Sequence, residues 1–266
     1  MLLAVDVGNT LIKLALYRGE TRLAHWQTAT DRERTADEVA MLWRQFLEFR
    51  GYGFADVSGV VIACVVPSVS ETLRKLCREY LRRTPLEVGP GIRTGMRLQY
   101  ENPREVGADR IANAIAAYAK YGGPAIVVAF GTATVFTAVS REGDFLGGAI
   151  APGVGISVEA LVQQTAQLRK VELVRPPQVI ARNTVAAMQA GVLYGVVGQV
   201  EGIVARMHYE LGERATVVAT GGFAELIGPE CRCVDHVDPL LSLEGLRILY
   251  DRNSAPQAAG ETRERV

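Results

Sequence analysis

The sequence predicts an α/β fold built from two similar lobes, each running βββαβα, and three observations carry that prediction. The apolar run that ends in Asp6-Val7-Gly8-Asn9-Thr10 returns downstream as Ala129-Phe130-Gly131-Thr132-Ala133-Thr134, and an alternating apolar stretch follows each copy. A third strand-like segment and then helical periodicity follow both, so the order of elements repeats along with the motif. With 266 residues the chain also exceeds the usual size of a single hydrophobic core.

The first lobe opens with strands at 2–7, 11–17 and 21–28, the last two joined by the turn Arg18-Gly19-Glu20. Thr35 and Glu38 stand at capping-box spacing and predict a helix to about Phe49, before Gly51. Residues 60–65 form an apolar strand stopped by Pro67, and Ser68 with Glu71 repeats the capping spacing, predicting a helix to about Arg83. In the second lobe, strands fall at 125–130, 134–140 and 145–151, with a turn at 141–144; the glycine-rich run 147–153 leads to a helix from about Ser157. A long helix spans Thr184 to Leu211 and carries Gly191, Gly195, Gly198 and Gly202 along one face. Tight packing within the domain explains such a face, with a subunit contact as the alternative. A strand at 216–219, the turn Thr220-Gly221-Gly222, a helix from Phe223 and an amphipathic helix around 243–250 complete the lobe. The expected boundaries are 1–115 for the first lobe, 116–253 for the second and 254–266 for a polar, disordered tail.

Composition narrows the ligand. There are 29 basic and 29 acidic residues, so no net charge recommends nucleic acid or a membrane surface as partner. Cys64, Cys77, Cys231 and Cys233 contain no CxxC pair, and His25, His208 and His236 are scattered, which argues against a disulfide framework or a zinc site. The chain enters a strand at once, without a signal-like segment, and reads as cytoplasmic.

The repeated turn points to phosphate. Asp6 at a strand end can hold a hydrated cation, Gly8 lets backbone approach an anion, Asn9 and Thr10 add donors, and Lys13 brings positive charge. Aligning Gly8 with Gly131 sets Asp6 opposite Ala129, so only the first copy keeps an acid. Together with Thr132 and Thr220-Gly221-Gly222, the two turns predict a nucleotide clamped between the lobes. A further motif, Tyr100 through Gly107-Ala108-Asp109-Arg110, opens a helix; Asp109 in its first turn matches the helix dipole, and Arg110 is either a solvated neighbour or a ligand contact.

The order and spacing of these motifs, with Gly147 to Gly153, Asn183-Thr184 and Ala187-Met188-Gln189-Ala190-Gly191, resemble the type III pantothenate kinases of the actin-like (ribonuclease-H-like) superfamily of acetate and sugar kinases. The resemblance covers nearly the whole chain. It implies ATP-dependent phosphorylation of pantothenate to 4′-phosphopantothenate, the first step toward coenzyme A. It further implies that Asp6, Val7, Gly8, Asn9, Thr10, Leu11, Ile12 and Lys13 bind ATP with Thr132, Gly221 and Gly222, and that Asp6 holds magnesium through water. Asp109 would be the general base; Tyr100, Gly107, Ala108, Asp109 and Arg110 would bind pantothenate, and Thr184 would reach it from the partner subunit of a homodimer.

Family members usually carry aspartate where this chain has Ala129, as ligand to a monovalent cation, potassium or ammonium, and an acid is common where it has Thr137. Potassium-independent or weak activity follows. Two alternatives remain open at this level: a non-catalytic paralogue that binds nucleotide or pantothenate in a regulatory role, and a superfamily kinase for another small hydroxylated substrate.

Overall fold

The computed structural model describes residues 1–164 and 171–254. Two five-stranded mixed sheets are built on one plan. In the first, β1 (Leu2–Val7) pairs antiparallel with β2 (Leu11–Arg18), β2 with β3 (Thr21–Ala29), and β1 runs parallel to β4 (Gly59–Cys64), which adjoins β5 (Leu86–Glu87). In the second, β6 (Ala125–Phe130) pairs with β7 (Ala133–Val139), β7 with β8 (Phe145–Pro152), and β6 runs parallel to β9 (Thr216–Gly221), which adjoins β10 (His236–Val237). The duplication extends to a register shift between the second and third strands of each lobe, at Leu16/Tyr17 and at Ala138/Val139. The predicted α/β class and paired lobes are therefore present.

Helices cover both faces of the first sheet. One face packs on α1 (Ala36–Glu48) and α2 (Pro67–Glu79), where Leu3, Val5, Leu14, Trp43, Ile62 and Leu73 form a continuous core. The capping box of α1 is formed as read: Glu38 N–H donates to Thr35 Oγ1 at 3.3 Å and Thr35 N–H to Glu38 Oε2 at 2.8 Å. The capping assignment for α2 is corrected. Pro67, with its preset φ and absent N–H, occupies the first helical position, so the helix starts before Ser68 and has no side-chain cap. Glu71 pairs with Arg74 at 2.9 Å instead, and the helix ends at Glu79, ahead of a left-handed Arg82 with φ of 55°.

The other face of the first sheet packs on α3 (Ala108–Tyr121) and α7 (Leu241–Ser254), which lie side by side between the lobes. The amphipathic reading of α7 gives way here, because Leu241, Leu243, Leu246 and Leu249 are fully buried and Ser242, Gly245 and Arg247 are buried with them. In the second lobe, α4 (Val154–Gln163) begins three residues before the predicted Ser157, and α5 (Thr184–Leu211) keeps the predicted bounds. The helix expected from Phe223 is the single turn α6 (Ala224–Ile227).

The glycine face of α5 is open: a Cβ built on Gly191, Gly195 or Gly198 meets nothing within 4 Å. Packing within the domain therefore does not account for it. The tail at 255–266 lies outside the described residues, among which no helix is long and apolar enough to cross a membrane.

Candidate active site

Asp6 is the last residue but one of β1, paired with Lys13 across the hairpin and with Ala63 on β4. The chain then turns tightly: Gly8 N–H donates to the Leu11 carbonyl at 3.0 Å, and Thr30 Oγ1 donates to the Gly8 carbonyl at 2.7 Å. The second hairpin repeats this, with Gly131 N–H donating to the Ala133 carbonyl at 3.0 Å. The two turns meet. Thr10 Oγ1 and Thr132 Oγ1, both exposed, lie 3.0 Å apart across the cleft. Val7 and Ile12 point into the core, so only their backbone faces the loop.

The third glycine turn closes the far side. Gly221 has φ of 96°, and a Cβ there would fall 2.4 Å from the Phe130 carbonyl oxygen, which brings this turn directly against the second hairpin. Gly222 beside it is exposed. Ala129, between Thr220 and Val135 in the sheet, presents no side-chain oxygen.

Electrostatics single out Asp6. Burial pushes its carboxyl above the ordinary range, and the negative charge of Asp109 pushes the same way; the Ser242 hydrogen bond and Lys13 oppose the rise. Ser242 Oγ donates to Asp6 Oδ2 at 2.6 Å, and Lys13 Nζ donates to the Pro239 carbonyl at 3.1 Å. A buried carboxylate with a second acid within Coulombic reach suits a cation.

The predicted substrate motif crosses from one lobe to the other. Phe145 N–H donates to the Arg97 carbonyl at 2.9 Å and Gln99 N–H to the Phe145 carbonyl at 2.8 Å, tying the segment before Tyr100 to the start of β8. Gly107 caps α3, with Ala108 and Asp109 half-buried in the first turn. Arg110 is not a solvated neighbour. Only 8% exposed, it lies 5.2 Å from the Phe145 ring centroid and 5.8 Å from that of Tyr100, and it donates to Thr137 Oγ1 at 3.4 Å. Its guanidinium forms no ion pair among the described residues, leaving donors for an anion. Beside this motif a cavity of about 350 Å³ is lined by Val88, Ile92, Leu98, Arg104, Val106 and Ala108, within the size of small-ligand sites. Thr184 opens α5 and is exposed.

Sequence reasoning missed Ser242, Pro239, Thr30 and Arg32, whose guanidinium donates to Asn9 Oδ1 at 3.3 Å. Ser242 and Pro239 reach the loop from more than 200 residues away, so no local spacing could mark them.

Two duplicated lobes, glycine turns facing across a cleft and a pair of acids beside them define an actin-like phosphotransferase. The comparisons agree. A profile of the type III pantothenate kinase family matches residues 2–206. The type III pantothenate kinase of Moorella thermoacetica is 56% identical over 254 residues, covering 96% of this chain and all of that protein. That of Brevibacillus brevis is 51% identical over 255 residues, covering 96% of this chain and 100% of its own length. This chain belongs to the type III pantothenate kinase family. Among solved structures, a Baf family transcriptional activator from Campylobacter jejuni superposes with a TM-score of 0.59 at 20% identity, covering 95% of this chain and 98% of its own. A 2-dehydro-3-deoxygalactonokinase from Sinorhizobium meliloti gives 0.56 at 10% identity over the whole of both chains. Both likenesses concern the fold.

Proposed function

We propose that this protein transfers the γ-phosphoryl group of ATP to the primary hydroxyl of pantothenate, giving 4′-phosphopantothenate at the start of coenzyme A synthesis. The observation that carries the reading is the meeting of the two phosphate turns at Thr10 and Thr132, beside Asp6 and Asp109. Asp6 to Lys13, Thr132, Gly221 and Gly222 bind ATP in this reading. Asp6 would hold magnesium through water: its carboxylate lies at the turn with Oδ2 bonded by Ser242, leaving Oδ1 for a further ligand. Magnesium supplies neutralisation of charge on the phosphate oxygens.

Asp109 accepts the proton of the pantothenate hydroxyl, a weak nucleophile that a carboxylate within reach activates. Arg110, buried with unfilled donors, receives the pantothenate carboxylate, and Tyr100, Gly107 and Ala108 shape the same pocket. Thr184 completes the site from the second subunit of a homodimer formed over the open glycine face of α5. The enzyme acts in the cytoplasm on small molecules, without nucleic-acid or membrane partners.

Ala129 offers no side-chain oxygen where the family resemblance implies an aspartate ligand to potassium or ammonium, so turnover is expected to be the same with sodium in place of potassium; strong potassium dependence would overturn that expectation. The central test is ADP release coupled to pantothenate addition, in the parent and in Asp109→Asn. Turnover in the parent, reduced by roughly 10²–10⁴-fold in the variant, is the expected result. No pantothenate-dependent ADP release in the parent refutes the kinase reading, and full activity in the variant refutes the base.

A further inference from the structure

We infer that Ser242, in the first turn of α7, is a positioning residue for phosphoryl transfer. It fixes the carboxylate of Asp6 in the orientation that receives the nucleotide-bound metal. The inference rests on the reading of Asp6 given above and adds a residue from the far end of the chain.

The geometry is specific. Ser242 is 4% exposed, and its Oγ donates to Asp6 Oδ2 at 2.6 Å, a short hydroxyl–carboxyl hydrogen bond. Its helix is anchored independently of that bond. Leu241, Leu243 and Leu246 are fully buried on either side of it, and Gly245 lies against the Ala112 backbone of α3. A hydroxyl held by such a frame has little freedom, so it dictates the carboxylate rotamer rather than following it. With Oδ2 engaged by Ser242, Oδ1 is left for a further ligand.

The same stretch of chain also holds the second charge of the loop. Lys13 Nζ donates to the Pro239 carbonyl, three residues before Ser242, while Asp238 Oδ1 accepts from Leu240 N–H and its Oδ2 from Lys120 Nζ at 2.6 Å. The segment 238–242 thus reaches from the edge strand of the second lobe to both charged side chains of the first phosphate turn. Ser242 also serves as an ordinary buried hydroxyl satisfied by its neighbour, so the test must separate positioning from fold stability.

The test uses full-length Ser242→Ala and Ser242→Thr. Binding of a non-hydrolysable ATP analogue is followed by calorimetry across a magnesium titration, and manganese affinity by water proton relaxation. Removing an outer partner of a metal-holding carboxylate weakens metal binding by roughly 10–100-fold. Ser242→Ala is expected to raise the magnesium needed for half-maximal nucleotide binding by about tenfold, with the KM for pantothenate unchanged and the melting temperature lowered by only a few degrees, as the loss of one buried hydrogen bond entails. Ser242→Thr, which keeps the hydroxyl, is expected to restore the parent value. An unchanged magnesium requirement in Ser242→Ala overturns the inference, and so does a loss that follows melting temperature and is not rescued by threonine. Asp6→Asn in the same titration separates the two ways of failing. If it raises the requirement and Ser242→Ala does not, Asp6 stands and only the role of Ser242 is refuted; if neither changes it, the reading of Asp6 falls and takes this inference with it.

Discussion

Replacing Gly245 by alanine should damage stability and catalysis together, because α3 and α7 touch at that point through backbone. A Cβ at Gly245 would sit 1.9 Å from the Ala112 carbonyl oxygen. Ordinary carbon–oxygen contacts begin near 3.3 Å, so the helices must part by roughly 1.4 Å or distort. Overpacking of this kind costs about 1–3 kcal/mol, of which alanine's better helix propensity returns about 0.5–1 kcal/mol. The atoms met are rigid backbone, so the upper end of that range applies; with each kcal/mol moving the melting temperature by about 2–4 °C in a chain of this size, a fall of roughly 4–10 °C is expected. Ala112 lies four residues after Ala108 and Gly245 four after Leu241, which puts both helix starts about 6 Å from the crossing. Separation there displaces Asp109 and Ser242, and a 1 Å misplacement can lower turnover by about 10²-fold. Thermal unfolding and steady-state phosphorylation would be measured on the same preparation. A melting temperature within about 1 °C of the parent, with turnover unchanged, would refute both the close crossing and its link to the site.

Three further outcomes follow from the same structure. Arg110→Met should raise the KM for pantothenate by roughly 10–100-fold, the worth of a charged hydrogen bond, while leaving nucleotide affinity unchanged; an unaltered KM would remove Arg110 from substrate binding. Asp6→Asn should melt at a higher temperature than the parent in metal- and nucleotide-free buffer at neutral pH. The folded state raises the Asp6 pKa above its unfolded value, so Asp6 destabilises the fold fully above the folded pKa, and the penalty fades as pH falls through that window. The difference in melting temperature should therefore shrink on acidification, and a pH-independent difference would contradict the assigned cause. Gly198→Ala, where a methyl meets nothing within 4 Å, should strengthen the helix by about 0.5–1 kcal/mol yet, if the proposed homodimer forms over this face, weaken self-association in sedimentation; unchanged self-association would refute the glycine face as the subunit contact.

What the sequence made legible was local. The hairpins around Gly8 and Gly131, the capping box of α1 and the full length of α5 were readable because each is specified by neighbours a few residues apart. The edge strands β5 and β10, two residues each, carry no periodicity and exist because β4 and β9 offer them a parallel partner. The amphipathic reading of α7 failed for a related reason: both faces are covered, one by the first sheet and one by α3, and that is set by the path of the whole chain. At the site, the motif residues could be named from sequence. That Arg110 is enclosed by Tyr100 and Phe145 could not, since Phe145 belongs to the other lobe.

The two glycine turns share a backbone plan but differ in charge. In the first lobe an acid and a cation, Asp6 and Lys13, flank the glycine; in the second, the corresponding region offers only hydroxyls and backbone. The imbalance is met by α3 and α7, which lie together and present their first turns to the same point: Asp109 acts on Asp6 through its charge, and Ser242 through a hydrogen bond. Helix starts carry partial positive charge and free N–H groups, favourable beside an anion such as a phosphate. Thr137 fits this arrangement. An acid at that position would pair with the buried Arg110 guanidinium, whereas the threonine accepts one long hydrogen bond and leaves the cation available. With alanine at 129 and threonine at 137, neither position places a negative charge on the second lobe's side of the cleft, which leaves the buried Arg110 guanidinium without an acidic partner there and free to meet an anion.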